Sequence, residues 1–365
     1  MDTAVFEAAG LYDPRAPAAA ARLALLEWLA ARGITLAQMA DAQRDGQLVR
    51  LAAKLARRPG PGLTAAEVAA RAGLSTEQVR ELSFVAGLAA EPDEAWYREQ
   101  EIPVFAGFAA GAALFGDRAV RRFTRTLGAA LARVAEAAMA LFQVRVEAPL
   151  LASGVSELEL AQQQARASET LPVVGEMLQL LFPAHFEMAI RRLEGHARSG
   201  TASLAVGFVD LVGFTSLSSR LATAELGELV EHFEEVAHDV TTARGGRVVK
   251  LVGDEAMFVT GDPAAACDIA LTLITQFAQD TSVTPRGGLA YGDLLARGGD
   301  YYGPVVNLAA RIAQLAVPHE LLATPALGTA AAAAAFRFEP AGRRLLKGFD
   351  EPIALSSVSR APRAA

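Results

Sequence analysis

A chain of 365 residues is long enough for two domains that each bury a core, which excludes a single small domain. Its formal net charge of −7, from 34 Lys and Arg against 41 Asp and Glu, argues against a general nucleic-acid binder, so any polyphosphate site has to be built locally. Hydrophobic residues make up 52% of the composition, yet charges or turn residues break every apolar stretch before the roughly 18 residues that span a bilayer, so no transmembrane segment is expected.

The start, MDTAVFEAAGLYDPRAP, has no basic region followed by an apolar one and does not read as a secretory signal. A cytoplasmic protein is expected, with peripheral membrane association left open. The single cysteine, Cys267, lies in an apolar stretch and reads as a small buried side chain.

Up to about Gly200 the sequence is rich in Ala and Leu with few β-branched runs, which predicts an all-α domain. Helices are expected over 18–31, stopped by Gly33, and over 47–57, stopped by the turn Pro59-Gly60-Pro61-Gly62. Thr64 with Glu67 forms one capping box, Gly73 ends that helix, and Ser75 with Gln78 opens another running to about Leu88. This pair resembles a helix-turn-helix. A DNA-reading second helix would present Thr76, Glu77, Gln78, Arg80 and Glu81, where two carboxylates against one Arg repel phosphate, so a packed helical hairpin is the expected reading.

A longer helix is predicted over 118–142, with Phe123, Leu127, Leu131, Val134 and Met139 on a face that is core or dimer interface. Pro149 is read as an interruption, and a polar stretch over 162–168 leads to Pro172. From Val173 a helix with a break near Pro183 joins the two halves. The division expected is a helical domain over 1–172, a helical linker over 173–199 and a second domain over 200–365.

After Gly200 short strands alternate with amphipathic helices. A strand is predicted over 204–211, a helix over 223–243, a hairpin over 245–261 turning at Gly253-Asp254, a helix over 263–279, strand over 286–296, a helix over 305–315, and two or three short strands to about Ser359. This is an α/β or α+β domain. Asp210 ends an apolar strand and Asp254 sits at a hairpin tip. A lone Asp at a strand end is usually a turn residue, but two at adjacent strand ends can hold two divalent ions against nucleotide phosphates.

The segments FVDLVGFTSLS, KLVGDEAMF and DYYGPVVNLAARI, in that order and at these separations, resemble the motifs of class III adenylyl and guanylyl cyclases across about 200–360. The resemblance implies a ferredoxin-like α+β catalytic domain that converts ATP to cyclic AMP. It implies that Asp210 and Asp254 bind two Mg²⁺ or Mn²⁺ ions, and that Lys250 and Asp300 read adenine, the Lys donating to a ring nitrogen and the Asp accepting from the 6-amino group. Asn307 and Arg311, four apart on one helix, match the pair that orients the ribose and stabilises charge on the attacked phosphate. Lys347, in RRLLKGFDEP, matches a triphosphate contact, while Arg297 reads as an ordinary surface residue. Glu255, where the family often has a small residue, is a minor departure that leaves metal preference and rate in doubt. In the family each site lies between two cyclase domains, so a chain with both residue sets implies a homodimer.

The whole chain also resembles, more loosely, soluble actinobacterial-type adenylyl cyclases whose helical amino-terminal domain inhibits catalysis and responds to pH, through layout and segments such as FTRTLGAALARVAEAAMALF. His185 and His196 are the histidines ahead of the catalytic domain, and eleven helical residues return to within roughly 20° of one face. Their protonation near the ordinary histidine range would bias the linker. The apolar helices are also compatible with a fatty acid or other apolar ligand. The competing readings are a diguanylate or guanylyl cyclase, a non-catalytic nucleotide-sensing module, and a transcription regulator built on 64–88.

Overall fold

The computed structural model describes residues 3–88, 91, 94–194, 201–278, 283–331 and 335–362. The chain divides into two compact units, Met1–Ala184 and His185–Ala365.

Helices make up the first unit: α1 (Thr3–Ala8), α2 (Ala19–Ala31), α3 (Leu36–Arg44), α4 (Leu51–Arg57), α5 (Ala65–Ala72), α6 (Thr76–Val85), α7 (Ile102–Phe115), α8 (Asp117–Phe142), α9 (Ala148–Ala152), α10 (Glu157–Glu169) and most of α11 (Leu171–Glu194). One core gathers Leu25, Leu26 and Leu29 of α2, Met39 of α3, Leu51 of α4, and Ala161 and Ala165 of α10. A second joins Val68 and Val79 of the α5–α6 pair to Tyr97 and Phe105, whose rings meet edge to face at 5.7 Å.

Both predicted capping boxes are present: Thr64 N donates to Glu67 Oε2 at 2.7 Å, and Ser75 N donates to Gln78 Oε1 at 2.8 Å. Gly73 adopts φ 70°, the left-handed conformation that closes α5. Of the residues a DNA-reading α6 would present, Gln78 is engaged in its cap and Glu81 pairs with Arg121 of α8. The hairpin is packed within the unit, as the sequence reading expects.

Three features differ from that reading. Pro149 is carried within one continuous helical run, Asp117–Ala152, directly after a π-helical turn, Gln143–Glu147. The polar stretch over 162–168 is part of α10, and Pro183 lies inside α11 without ending it. Two helical runs, Asp117–Ala152 and Glu157–Arg191, are long and apolar enough to cross a membrane by length and composition. Isolated charges such as Arg133 and Glu136 interrupt the first of these runs.

In the second unit eight strands form one sheet: β1 (Thr201–Val212), β2 (Arg247–Val252), β3 (Glu255–Thr260), β4 (Thr284–Arg297), β5 (Asp300–Tyr302), β6 (Leu321–Ala323), β7 (Phe336–Arg344) and β8 (Ile353–Arg360). The order is β2-β3-β1-β4-β6-β8-β7, with β5 on β4; among the described residues the β4–β6 pairing is parallel and the others antiparallel. The helices are α12 (Phe214–Ser218), α13 (Thr223–Ala243), α14 (Pro263–Phe277), α15 (Pro304–Leu315) and α16 (Pro325–Ala331).

Strand alternation sorts the sheet into two faces. Ala205, Val209 and Leu211 of β1, with Ala256 and Phe258 of β3, pack with Phe233 of α13 and Ile269 and Leu273 of α14. Leu204, Val206 and Phe208 of β1, with Met257 and Val259 of β3, pack with Val306, Ala309 and Ala313 of α15 on the other. Gly288 of β4 lets α15 come close: a Cβ there would stand 2.2 Å from Ala313 N and 2.6 Å from Ala309 O. The architecture is thus an all-α region followed by a mixed-sheet α/β domain.

Candidate active site

Asp210 continues the β1 alternation of Leu204, Val206 and Phe208, so it belongs to the α15 face at the end of the strand. Across one pairing it stands opposite Glu255 of β3, and across the other opposite Arg286 of β4. Arg286 Nε and Nη2 both donate to Asp210 Oδ2, at 2.9 and 2.7 Å. Asp254 occupies the β2–β3 turn after Gly253, whose φ of 62° suits glycine. Its carbonyl accepts from Leu211 N at 3.2 Å, pinning the turn beside Asp210.

Three carboxylates thus gather at one strand end. Burial raises the Asp254 pKa, and the nearby Asp210 adds to it while Arg286 opposes. Burial, helped by the Asp210 and Asp254 charges and opposed by Arg286, pushes Glu255 up to about 7. Such crowding of hard oxygen donors suits divalent cations. Among the described residues no three His, Cys, Asp or Glu side chains form a ready-made metal cage.

Lys250 of β2 and Asp300 of β5, fifty residues apart, are brought together: Lys250 Nζ donates to Asp300 Oδ2 at 2.7 Å. Tyr301 N donates to Asp300 Oδ1 at 2.8 Å, and the Arg247 guanidinium lies over the Tyr301 ring at 5.2 Å. Burial favours the neutral Asp300 acid, but Lys250, the Tyr301 N–H and Arg247 outweigh it and hold the carboxyl below its ordinary pKa. It is therefore an ionised acceptor at neutral pH.

Asn307 and Arg311 sit one turn apart on α15, whose opposite stripe of Val306, Ala309, Ile312 and Ala313 is buried. Arg311 Nη1 donates to Gln314 Oε1 at 2.8 Å, which aims the guanidinium along the helix. Lys347 lies exposed in the turn between β7 and β8, and Arg297 exposed at the end of β4. His185 is exposed on α11; His196 lies outside the described residues. Two residues near the chemistry escaped the sequence reading, Arg286 and Gln314. A charged residue opening the apolar strand RGGLAYG was the available signal for the first.

Residues 7–190 match the model of an adenylate cyclase regulatory domain, and residues 197–355 that of an adenylate and guanylate cyclase catalytic domain. The chain belongs to the class III adenylate and guanylate cyclases. A pH-sensitive adenylate cyclase of Mycobacterium tuberculosis is 31% identical over 96% of this chain and 91% of its own length. An uncharacterized protein of the same species is 33% identical over 100% and 96%, and an adenylate cyclase of Glutamicibacter nicotianae 31% identical over 70% and 68%. Among solved structures, the adenylyl cyclase CyaB from P. aeruginosa is 24% identical, covering 45% of this chain and 96% of its own, at a TM-score of 0.41. As a class III cyclase the chain is an enzyme, with its catalytic residues to be sought in the second unit.

Proposed function

We propose that this cyclase converts ATP to 3′,5′-cyclic AMP and pyrophosphate as a homodimer with two divalent ions at each site. The observation that carries the choice of ATP is the Lys250–Asp300 pair, an ionised acceptor and a cationic donor joined at 2.7 Å. Together they match the donor and acceptor pattern of adenine, and guanine meets them with both polarities reversed.

Asp210 and Asp254 hold the ions. Bound there, Mg²⁺ or Mn²⁺ supplies acidification of the ribose 3′-hydroxyl and neutralisation of triphosphate charge. Asn307 orients the ribose and Arg311 faces the charge that builds on the attacked phosphate. Lys347 contacts the triphosphate from a mobile-length side chain on its turn. In this reading one protomer contributes the aspartates and its partner the base-reading and α15 residues. Exposed apolar side chains flank both sets in this chain: Val252 before the Asp254 turn, Tyr302 after Asp300, and Leu315 and Val317 after Arg311. Covering them with a second copy removes that apolar surface from water.

The regulatory part comprises residues 1–172, with 173–199 as transducer. Control by pH is supported by the pH-sensitive relative and by His185 and His196 in the connecting segment.

The test is an assay of purified protein with ATP and GTP offered separately, with Mg²⁺ or Mn²⁺, from about pH 5 to 8 around the histidine range. Cyclic AMP is expected from ATP, with loss in D254A and a flattened pH profile in H185Q/H196Q. Absence of any cyclic product would leave a nucleotide-sensing role in its place, and cyclic GMP as main product would reverse the base assignment.

A further inference from the structure

We infer that Arg286 is the positioning residue of the metal-binding half-site: it holds Asp210 so that one carboxylate oxygen is left for a divalent cation, and ties that carboxylate to the helix that bears Asn307 and Arg311. The inference rests on the cyclase reading of Asp210.

All three guanidinium nitrogens are engaged. Nε and Nη2 converge on Asp210 Oδ2 at 2.9 and 2.7 Å, so the fork of the guanidinium grips one carboxylate oxygen and leaves Oδ1 outside it. Nη1 points the other way and donates to the backbone carbonyls of Gln314 at 2.9 Å and Ala316 at 3.4 Å, at the C-terminal end of α15. Those carbonyls are the negative end of the helix, so they favour a cation there. Gln314 in turn accepts from Arg311 through its side chain. A continuous path therefore runs from Asp210 through Arg286 and Gln314 to Arg311. The Arg286 side chain is 23% exposed and that of Asp210 17%, so the pair is shielded from competing water.

The guanidinium does two separable things. Its charge offsets the carboxylates of Asp210, Asp254 and Glu255, which taken alone weakens the pull on a metal cation. Its fork and reach orient Asp210, which strengthens metal binding. A lysine keeps the charge but has one compact ammonium that does not serve a carboxylate and two carbonyls on opposite sides. Arg286→Lys therefore removes orientation while leaving charge, and Arg286→Gln removes both.

Binding of Mn²⁺, added alone to the full-length protein, is followed by the loss of its free-ion electron paramagnetic resonance signal, alongside thermal unfolding in EDTA and cyclase kinetics. Both R286K and R286Q are expected to bind Mn²⁺ about ten- to a hundredfold more weakly, the usual cost of losing the partner of a metal ligand. The Mn²⁺ concentration for half-maximal rate is expected to rise in step in the R286K enzyme. Unchanged or tighter Mn²⁺ binding in either variant would overturn the inference, because Arg286 would then act only as a counter-charge. Loss of the native fold in both would also overturn it, making Arg286 a residue of stability. D210N separates the two levels: Mn²⁺ binding untouched by D210N removes the cyclase reading of Asp210 itself, whereas binding lost in D210N but kept in R286K removes only the role of Arg286.

Discussion

Asp210 faces a carboxylate on one neighbouring strand and a guanidinium on the other, and this pairing explains the electrostatics of its surroundings. Glu255 lies on the carboxylate side, and its pKa of about 7 has a thermodynamic consequence. An unfolded chain releases the Glu255 proton near 4.5, while the folded protein keeps it to about pH 7. Across that window the unfolded state binds fewer protons, so stability falls as pH rises. Glu255→Gln removes the penalty. In EDTA the melting temperature of E255Q relative to the parent is expected to rise from about pH 4.5 to 7 and then level off. A melting-temperature difference that stays constant from about pH 4.5 to 7 would show that Glu255 ionises normally.

The residues legible in the sequence were those whose chemistry is carried by local motifs. Asp210 ends an apolar run, Asp254 marks a hairpin tip, and Asn307 and Arg311 share a helical face within one segment. Arg286 meets its partner Asp210 across 76 residues of chain. Such partnerships depend on strand register, which the order of residues in one strand does not display.

At the scale of elements, α15 is held against the sheet by contacts that leave little room. Gly288 faces its backbone, and a methyl group there would stand 2.2 Å from Ala313 N, so Gly288→Ala has to push the helix outward. Overpacking of this kind costs about 1–3 kcal/mol. Because α15 also bears Asn307 and Arg311, G288A is expected to lower kcat more than its loss of stability explains. Urea unfolding and initial rates on the same sample measure both, and a variant with normal stability and rate would show that the helix yields freely.

The catalytic helices and strands were readable because apolar periodicity and turn residues agree there. Helix α10 was not, for its buried stripe consists of Ala161, Gln164, Ala165 and Ser168, small or polar side chains without an apolar signal. Pro149 and Pro183 suggest breaks from sequence, yet each is carried within a long helical run.

At the scale of the molecule, the two units carry different surfaces. The helical unit exposes Phe123, Leu131, Val134 and Met139 along α8, and α11 exposes Val173, Met177 and Leu180. The α8 stripe expected to be core or dimer interface is exposed in the single chain. In the proposed function the second unit carries both half-sites in one polypeptide, and the enzyme needs a second copy to bring unlike halves together.

That requirement can be tested by mixing two dead enzymes. D254A lacks a metal carboxylate and N307A a residue of the opposite half, so each homodimer has two broken sites. After exchange of protomers a mixed dimer gathers both lesions in one site and leaves the other whole. With random assembly half the dimers are mixed and half their sites intact, which predicts about a quarter of parental cyclic AMP formation from two inactive samples. A mixture as inactive as its components, with protomer exchange verified by subunit tagging, would contradict a site shared between two chains.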